Sequence, residues 1–188
     1  EIEIDTAIAA ELHGDTDHRY SITAEVTDKS RRTIVGSGSV LVTREAFKVY
    51  AWLDRGHYKA GDTVEASLNA QTPDGKPVKG KGELKLLSVT YENEKPKETV
   101  IERWDLDPGA DGRANQKFIA AKPGQYRISY RVTDAKQHTI EGGYLFVVRG
   151  GDFNGRGYRF HHLELLTDRR EYNPGNKVNM LVNTNREG

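Results

Sequence analysis

The sequence contains no cysteine. That absence excludes a disulfide framework, a thiolate nucleophile and any metal held by sulfur, although it does not by itself fix a compartment. A run of about 18 apolar residues is also missing, so no stretch is suited to cross a bilayer as a helix. Net charge is absent: 28 Lys and Arg stand against 28 Asp and Glu, and bulk charge therefore gives no pull toward nucleic acid or an anionic membrane. The opening EIEIDTAIAA lacks the basic start and apolar core of a signal peptide. If the parent protein is exported, its signal is expected outside these residues. No segment carries a long apolar stripe of helical period with caps, so little helix is expected. With 36% apolar and 30% charged residues, the chain suits small cores with broad surfaces. Its 188 residues leave room for one large domain or two small ones.

What is present is alternation with period two. In 19–27 Tyr20, Ile22, Ala24 and Val26 share one face, and in 125–133 Tyr126, Ile128, Tyr130 and Val132 do the same. This is the pattern of half-buried antiparallel strands. Further strands are predicted at 39–43, 46–53, 63–69, 83–89, 98–104, 115–120, 144–149, 160–166 and 177–183. Turn signals separate them at Pro73-Asp74-Gly75, Asp111-Gly112, Pro123-Gly124, Gly142-Gly143 and Gly150-Gly151. Strands at roughly ten-residue spacing predict an all-β chain of the sandwich type.

The sequence also repeats itself. Residues 20–43 align without gaps on 126–149 at an offset of 106, and 54–71 align on 168–185 at an offset of 114. The second alignment matches Asp54 with Asp168, Arg55 with Arg169, Tyr58 with Tyr172, Gly61 with Gly175 and Val64 with Val178. One complete period, 46–149, is close to the ~100 residues of an immunoglobulin-like sandwich. Residues 1–45 then read as the closing strands of a preceding copy, 150–157 as a Gly-rich linker, and 158–188 as the opening strands of a following copy. The apolar faces of the two partial copies are expected to pair, within one chain or between two, the latter giving a strand-swapped homodimer.

The repeated residues have simple physical readings. Gly61 and Gly175 are expected to supply the positive φ of a turn. Tyr58 and Tyr172 are expected over the end of the sandwich, packing through the ring with a wet hydroxyl. Asp28 and Asp134 are expected to bond their own backbone in turns.

Candidate chemistry is sparse. Asp105, Asp107 and Asp111 offer three carboxylates in one Gly-containing loop, a Ca²⁺ candidate set against a solvated hairpin turn. The spacing departs from an EF-hand, and no Glu follows at the bidentate position. His13, Asp15, Asp17 and His18 hold a transition-metal donor set, or form a surface loop. His161 and His162 adjoin on a predicted strand, so they face opposite ways. Glu102 and Asp105 form a hydrolase pair only if a cleft joins them. The charged runs 76–85 and 92–98 read as solvated edge strands and a loop, with an anionic-polymer patch as the alternative. No Ser motif, P-loop or dinucleotide fingerprint is present. The residues thus identify no catalytic, cofactor-binding or secure metal site, and a non-enzyme is expected.

The order of phrases carries a resemblance. It runs from the strand pair ending V-T-D to L-D-R-x-x-Y-x-x-G-D-x-V, then D-G-K-P-V at 74–78, D-G-R-A at 111–114 and P-G-Q-Y-R-I at 123–128. This resembles the macroglobulin domains of the alpha-2-macroglobulin family, its bacterial branch more than the complement components. The resemblance implies tandem immunoglobulin- or fibronectin-like sandwiches forming the scaffold of a broad-specificity protease trap. It also implies a periplasmic or extracellular parent whose partners are neighbouring macroglobulin domains and, through the whole protein, target proteases. The family's Cys-Gly-Glu-Gln thioester has no counterpart here, and no bait-like segment is legible. The rival reading is a cell-surface adhesion module of tandem fibronectin-like sandwiches; an accessory β-domain of a glycoside hydrolase is a third.

Overall fold

The computed structural model describes residues 7, 11, 14, 16–93, 95–151, 163–169 and 171–184. They fall into two compact units, Glu1–Ala46 and Phe47–Gly188. Every named element is a β-strand, as the period-two alternation predicts.

Among the described residues, the first unit contains one antiparallel hairpin, β1 (His18–Thr27) and β2 (Thr33–Val42). The second contains β3 (Lys48–Leu53), β4 (His57–Lys59), β5 (Thr63–Gln71), β6 (Gly80–Glu92), β7 (Lys95–Asp105), β8 (Arg113–Ile119), β9 (Gly124–Asp134) and β10 (Thr139–Arg149). Two further strands, β11 (Leu163–Thr167) and β12 (Met180–Thr184), pair antiparallel with each other. A three-stranded sheet, β3-β5-β8, faces a five-stranded sheet, β4-β10-β9-β6-β7. Their inner faces meet in one core, built from Leu53, Val64 and Leu68 on one side and Leu84, Ile128 and Phe146 on the other. The residues alternate because each strand buries one face against the opposite sheet and turns the other to solvent. This is an immunoglobulin-like sandwich.

Three differences from the sequence reading have physical causes. Gly142-Gly143 lies inside β10 and is not a turn. A Cβ on Gly142 would stand 2.2 Å from the Val49 carbonyl oxygen, so glycine is needed for β3 to cross closely over β10. The run 76–85 does not form an edge: β6 lies between β7 and β9, and its charged side chains sit on the outer face. There Glu83 meets Lys85 at 2.6 Å and Arg103 at 3.2 Å. Finally, β4 is only three residues long, too short for any period to register. It pairs parallel to β10, with His57 opposite Val147 and Lys59 opposite Arg149.

The internal repeat is reproduced in its turn geometry and backbone bonds. In β1–β2, Asp28 Oδ1 accepts from the amides of Ser30 and Arg32 at 2.8 and 3.0 Å. In β9–β10, Asp134 Oδ1 accepts from Lys136 and His138 at 2.8 and 2.9 Å. Each turn carries one non-glycine residue with positive φ, Arg31 at 61° and Gln137 at 66°. Each is flanked by a threonine pair at 2.9 Å, Thr27 with Thr33 and Thr133 with Thr139. The Asx turns expected at both aspartates are therefore present. The second repeat is equally faithful: β3 and β5 pair Leu53 with Ala66, while β11 and β12 pair Thr167 with Met180, the positions 114 residues later.

Candidate functional site

The most elaborate polar cluster grows from the repeated Asp-Arg-x-x-Tyr phrase. Residues 54–56 turn the chain from β3 into β4, which brings Tyr58 back beneath Asp54. The Tyr58 hydroxyl donates to Asp54 Oδ1 at 2.7 Å and accepts from the Arg55 amide at 3.1 Å. The Glu65 amide donates to the same carboxylate oxygen at 2.8 Å, tying β5 to the corner. Arg55 bonds Asp54 at 3.1 Å and Asp62 at 3.3 Å, and its guanidinium lies 5.1 Å from the centre of the Tyr58 ring. Asp62 in turn accepts from the Lys59 amide at 3.0 Å, and Gly61 between them has φ 93°.

This corrects the wet hydroxyl expected at Tyr58. The residue is 1% exposed. Its ring stands edge-on to Phe146 with centroids 5.7 Å apart. A buried hydroxyl needs a partner, and a carboxylate four residues back provides one through a charge-assisted bond. Burial and then the Asp54 bond push the Tyr58 phenol well above its ordinary range. Burial also works to raise the Asp54 carboxyl, but the bonds from Tyr58, Glu65 and Arg55 outweigh it and hold Asp54 below the usual carboxylate range.

The corner recurs in the next repeat. Tyr172 donates to Asp168 through a short bond, and its hydroxyl accepts from the Arg169 amide at 3.1 Å. The Asn179 amide donates to Asp168 Oδ1 at 3.2 Å, as Glu65 does to Asp54. Where Arg55 engages Asp54 Oδ2, the Asn179 side-chain amide engages Asp168 Oδ2 at 2.9 Å. Asn176 replaces Asp62, accepting from the Asn173 amide at 3.0 Å, and Gly175 has φ 88°. Bonds from Tyr172 and then Asn179 push the Asp168 carboxyl down to about 2.

The two corners are neighbours. The Gly56 amide donates to the Thr167 carbonyl at 3.1 Å, and Arg55, His57, Lys59, Asp62, Asp168 and Asn179 line a shared depression of 330 Å³. Within it, burial and then Arg149 hold the His57 imidazole below its ordinary range. Each carboxylate here is already engaged by hydroxyl, amide or guanidinium donors. The arrangement can fix strand ends and join two repeats; it presents no nucleophile activated by a base.

The sequence-predicted candidates are scattered. Asp107 accepts from Lys81 Nζ at 2.7 Å and from the Gly82 amide at 2.9 Å. Asp111 caps its own turn through the Arg113 amide at 3.1 Å. Asp105 joins Asp107 in a depression with Lys81, Glu83 and Arg131, which Asp111 does not line. Glu102 lines a different, apolar groove beside Ile101, Phe118 and Ile119. Three residues apart on β7, Glu102 and Asp105 face opposite ways and share no cleft. Asp17 accepts from the Arg44 amide at 3.1 Å, and His18 contacts Thr16 at 3.5 Å. His13, Asp15, His161 and His162 lie outside the described residues. Among the described residues, no three His, Asp or Glu side chains are placed to hold a metal ion.

Sequence reading found the residues of the corner but not their bonds. The signal was available: an acidic residue, a tyrosine four positions on, and the same spacing 114 residues later.

A family model, the MG2 domain, matches residues 48–147, close to the 46–149 expected for one module. No curated protein matches the chain. Among solved structures, Spo0M, a sporulation control protein from Bacillus subtilis, is 15% identical with TM-score 0.43, over 56% of this chain and 50% of Spo0M. The superoxide reductase neelaredoxin from Ignicoccus hospitalis is 15% identical with TM-score 0.36, over 55% of this chain and 84% of its own. A tetra-tandem repeat from the extending region of a large adhesion protein is 11% identical with TM-score 0.37, over 92% of this chain and 47% of its own. The chain thus spans half the length of Spo0M, and similarities this low carry no argument about what it does.

Proposed function

The chain belongs to the MG2 domain family, and from that premise we propose that it is a scaffold segment of an alpha-2-macroglobulin-like, broad-specificity protease trap. On this reading it is not an enzyme. It holds neighbouring macroglobulin domains in register while bait cleavage and covalent capture belong to other parts of the parent protein. The observation that carries the proposal is the paired Asp-Tyr corner, whose polar groups are spent on strand ends and on the joint between repeats. A parent that meets proteases from outside the cell belongs in the periplasm or the extracellular space, with adjacent macroglobulin domains and the captured protease as partners.

The test uses the full-length parent mixed with an endopeptidase. A trap leaves the protease able to cleave small chromogenic peptides while blocking cleavage of a large protein substrate. Loss of both activities, or of neither, would sink the proposal. Tight binding to a glycan or cell-surface protein without any effect on proteases would instead support the adhesion reading.

A further inference from the structure

One edge of the five-stranded sheet gathers positive charge and unmet polar atoms. There β4 pairs with β10, Lys59 directly opposite Arg149 and His57 opposite Val147. Tyr58 and Val148 belong to the core, so strand alternation turns His57, Lys59 and Arg149 to the outer face. The Ala60 amide donates to the Arg149 carbonyl at 2.9 Å, and the Asp62 amide donates to the Lys59 carbonyl at 3.0 Å, which fixes the two strand ends. Like charges held opposite each other on neighbouring strands are destabilising. Elsewhere on the outer face Lys85, Arg103, Arg127 and Arg131 each meet a carboxylate at distances from 2.6 to 3.2 Å. Lys59 and Arg149 form no ion pair among the described residues.

The unmet polar atoms lie in the adjoining row. Across β4, β10 and β9 that row runs His57, Val147, Gln125. His57 Nδ1 and both amide atoms of Gln125 are buried without a hydrogen-bond partner, and no other side chain among the described residues is so placed. Gln125 is 3% exposed. Buried polar groups are paired as a rule, and these three atoms stand beside two facing cations. His57, Lys59 and Arg149, with Ala60 and Gly150, line a depression of 440 Å³. The repeated architecture does not require this charge: the positions equivalent to Lys59 and Arg149 are Asn173 and Thr43.

We propose that Arg149, Lys59 and His57 bind an oxyanion, a phosphate or carboxylate group, in this depression. Arg149 presents a planar fork that takes two oxygens at once, and Lys59 adds a compact point charge. His57 contributes the single ring N–H of a neutral imidazole. Gln125, beyond Val147 in the same row, extends the polar wall toward β9. An anion seated between the cations turns their mutual repulsion into two attractions, which accounts for a neutral chain keeping them face to face. This proposal does not depend on the protease-trap reading.

Calorimetric titration of the full chain at low ionic strength tests it, with sodium phosphate and sodium acetate as separate probes. At least one probe should saturate a single site per chain with a Kd of about 1 mM or tighter. Phosphate alone identifies a phosphate group as the ligand, acetate alone a carboxylate, and both together a site that reads only the oxyanion. Lys59→Gln and Arg149→Gln should each weaken binding at least about 10-fold. By removing the facing charges, each should also raise the Tm in buffer that contains neither probe. Lys79→Gln, which removes an exposed charge outside the depression, should leave the affinity unchanged. Fluorescence of Trp52 and Trp104 in the central module reports that each variant remains folded. No saturable binding of either probe up to about 10 mM overturns the proposal. So does binding that survives in both site variants, or that Lys79→Gln weakens as much as Arg149→Gln does.

Discussion

The hairpins β1–β2 and β9–β10 share a turn, a register and a threonine pair, yet one buries its apolar face and the other exposes it. Turn chemistry is local: the aspartate, the residue with positive φ and the flanking threonines lie within seven positions of one another. Burial is not local, because the covering surface comes from another sheet. A shared pattern of turn and face residues therefore produced the same hairpin twice without producing the same environment.

The largest expected effect breaks the comparison at the core. Phe146→Ala should cost the central module about 3–5 kcal/mol, since its ring packs on Tyr58, Phe118 and Tyr126. The equivalent Val40→Ala, on an open face, should stay within about 0.5 kcal/mol in dilute solution. Urea unfolding followed by tryptophan fluorescence measures the first, and hydrogen exchange of the β1–β2 amides measures the second. Equal costs would mean that the two faces are alike in solution.

Next comes the paired glycine. Gly142→Ala drives a methyl group against the Val49 carbonyl and should cost about 1–3 kcal/mol. Gly36→Ala meets nothing and should be neutral or stabilising by up to about 1 kcal/mol. A shift of both variants in the same direction would contradict the strand-crossing role of Gly142.

Acidity separates the hairpins through their outer faces. In β9–β10, Glu141 bonds Arg127 at 3.0 Å and Arg131 at 3.1 Å, whereas Val35 holds the equivalent place in β1–β2. Burial works to raise the Glu141 carboxyl, but bonds from Ser129, Arg127 and Arg131 prevail and push it down to about 2. A depressed carboxylate contributes stability that is full above its unfolded value of 4.5 and is lost as pH falls toward about 2. After allowance for solvent screening, that contribution is about 1 kcal/mol. Glu141→Gln should flatten the stability of the central module across this window, and an unchanged slope would remove Glu141 from the account.

The smallest effect should sharpen the likeness. Asp28→Ala and Asp134→Ala each remove two backbone bonds from an exposed turn. Each should cost about 1 kcal/mol, read as faster exchange of the Ser30 and Arg32 or Lys136 and His138 amides. Asp134→Ala also removes a 2.9 Å contact with His138 Nδ1 that Asp28 has no counterpart for, so only a difference that persists in a His138→Ala background would show that the turn depends on burial after all.

Much of this was legible beforehand, because strands announce themselves by alternation. Tyr126, Ile128, Tyr130 and Val132 specify a face whichever sheet covers it. Asp134 specifies a turn whose bonds reach only four residues. Gly142-Gly143 was misread because glycine signals both a turn and a close backbone approach, and only the position of Val49 separates them. Tyr58 was misread because the fate of a hydroxyl depends on where the chain places an acceptor. The bends at 54–56 place it under Asp54.

By itself, then, the sequence determined the all-β class, the repeat and the identity of the turn and corner residues. Each of these rests on contacts spanning a few positions or on comparison of the chain with itself. The tertiary structure alone decided that β6 is interior, that β4 runs parallel to β10, and that two like hairpins differ in burial. Those outcomes depend on which surfaces meet across the sandwich, and no local pattern encodes the partner that a face will find.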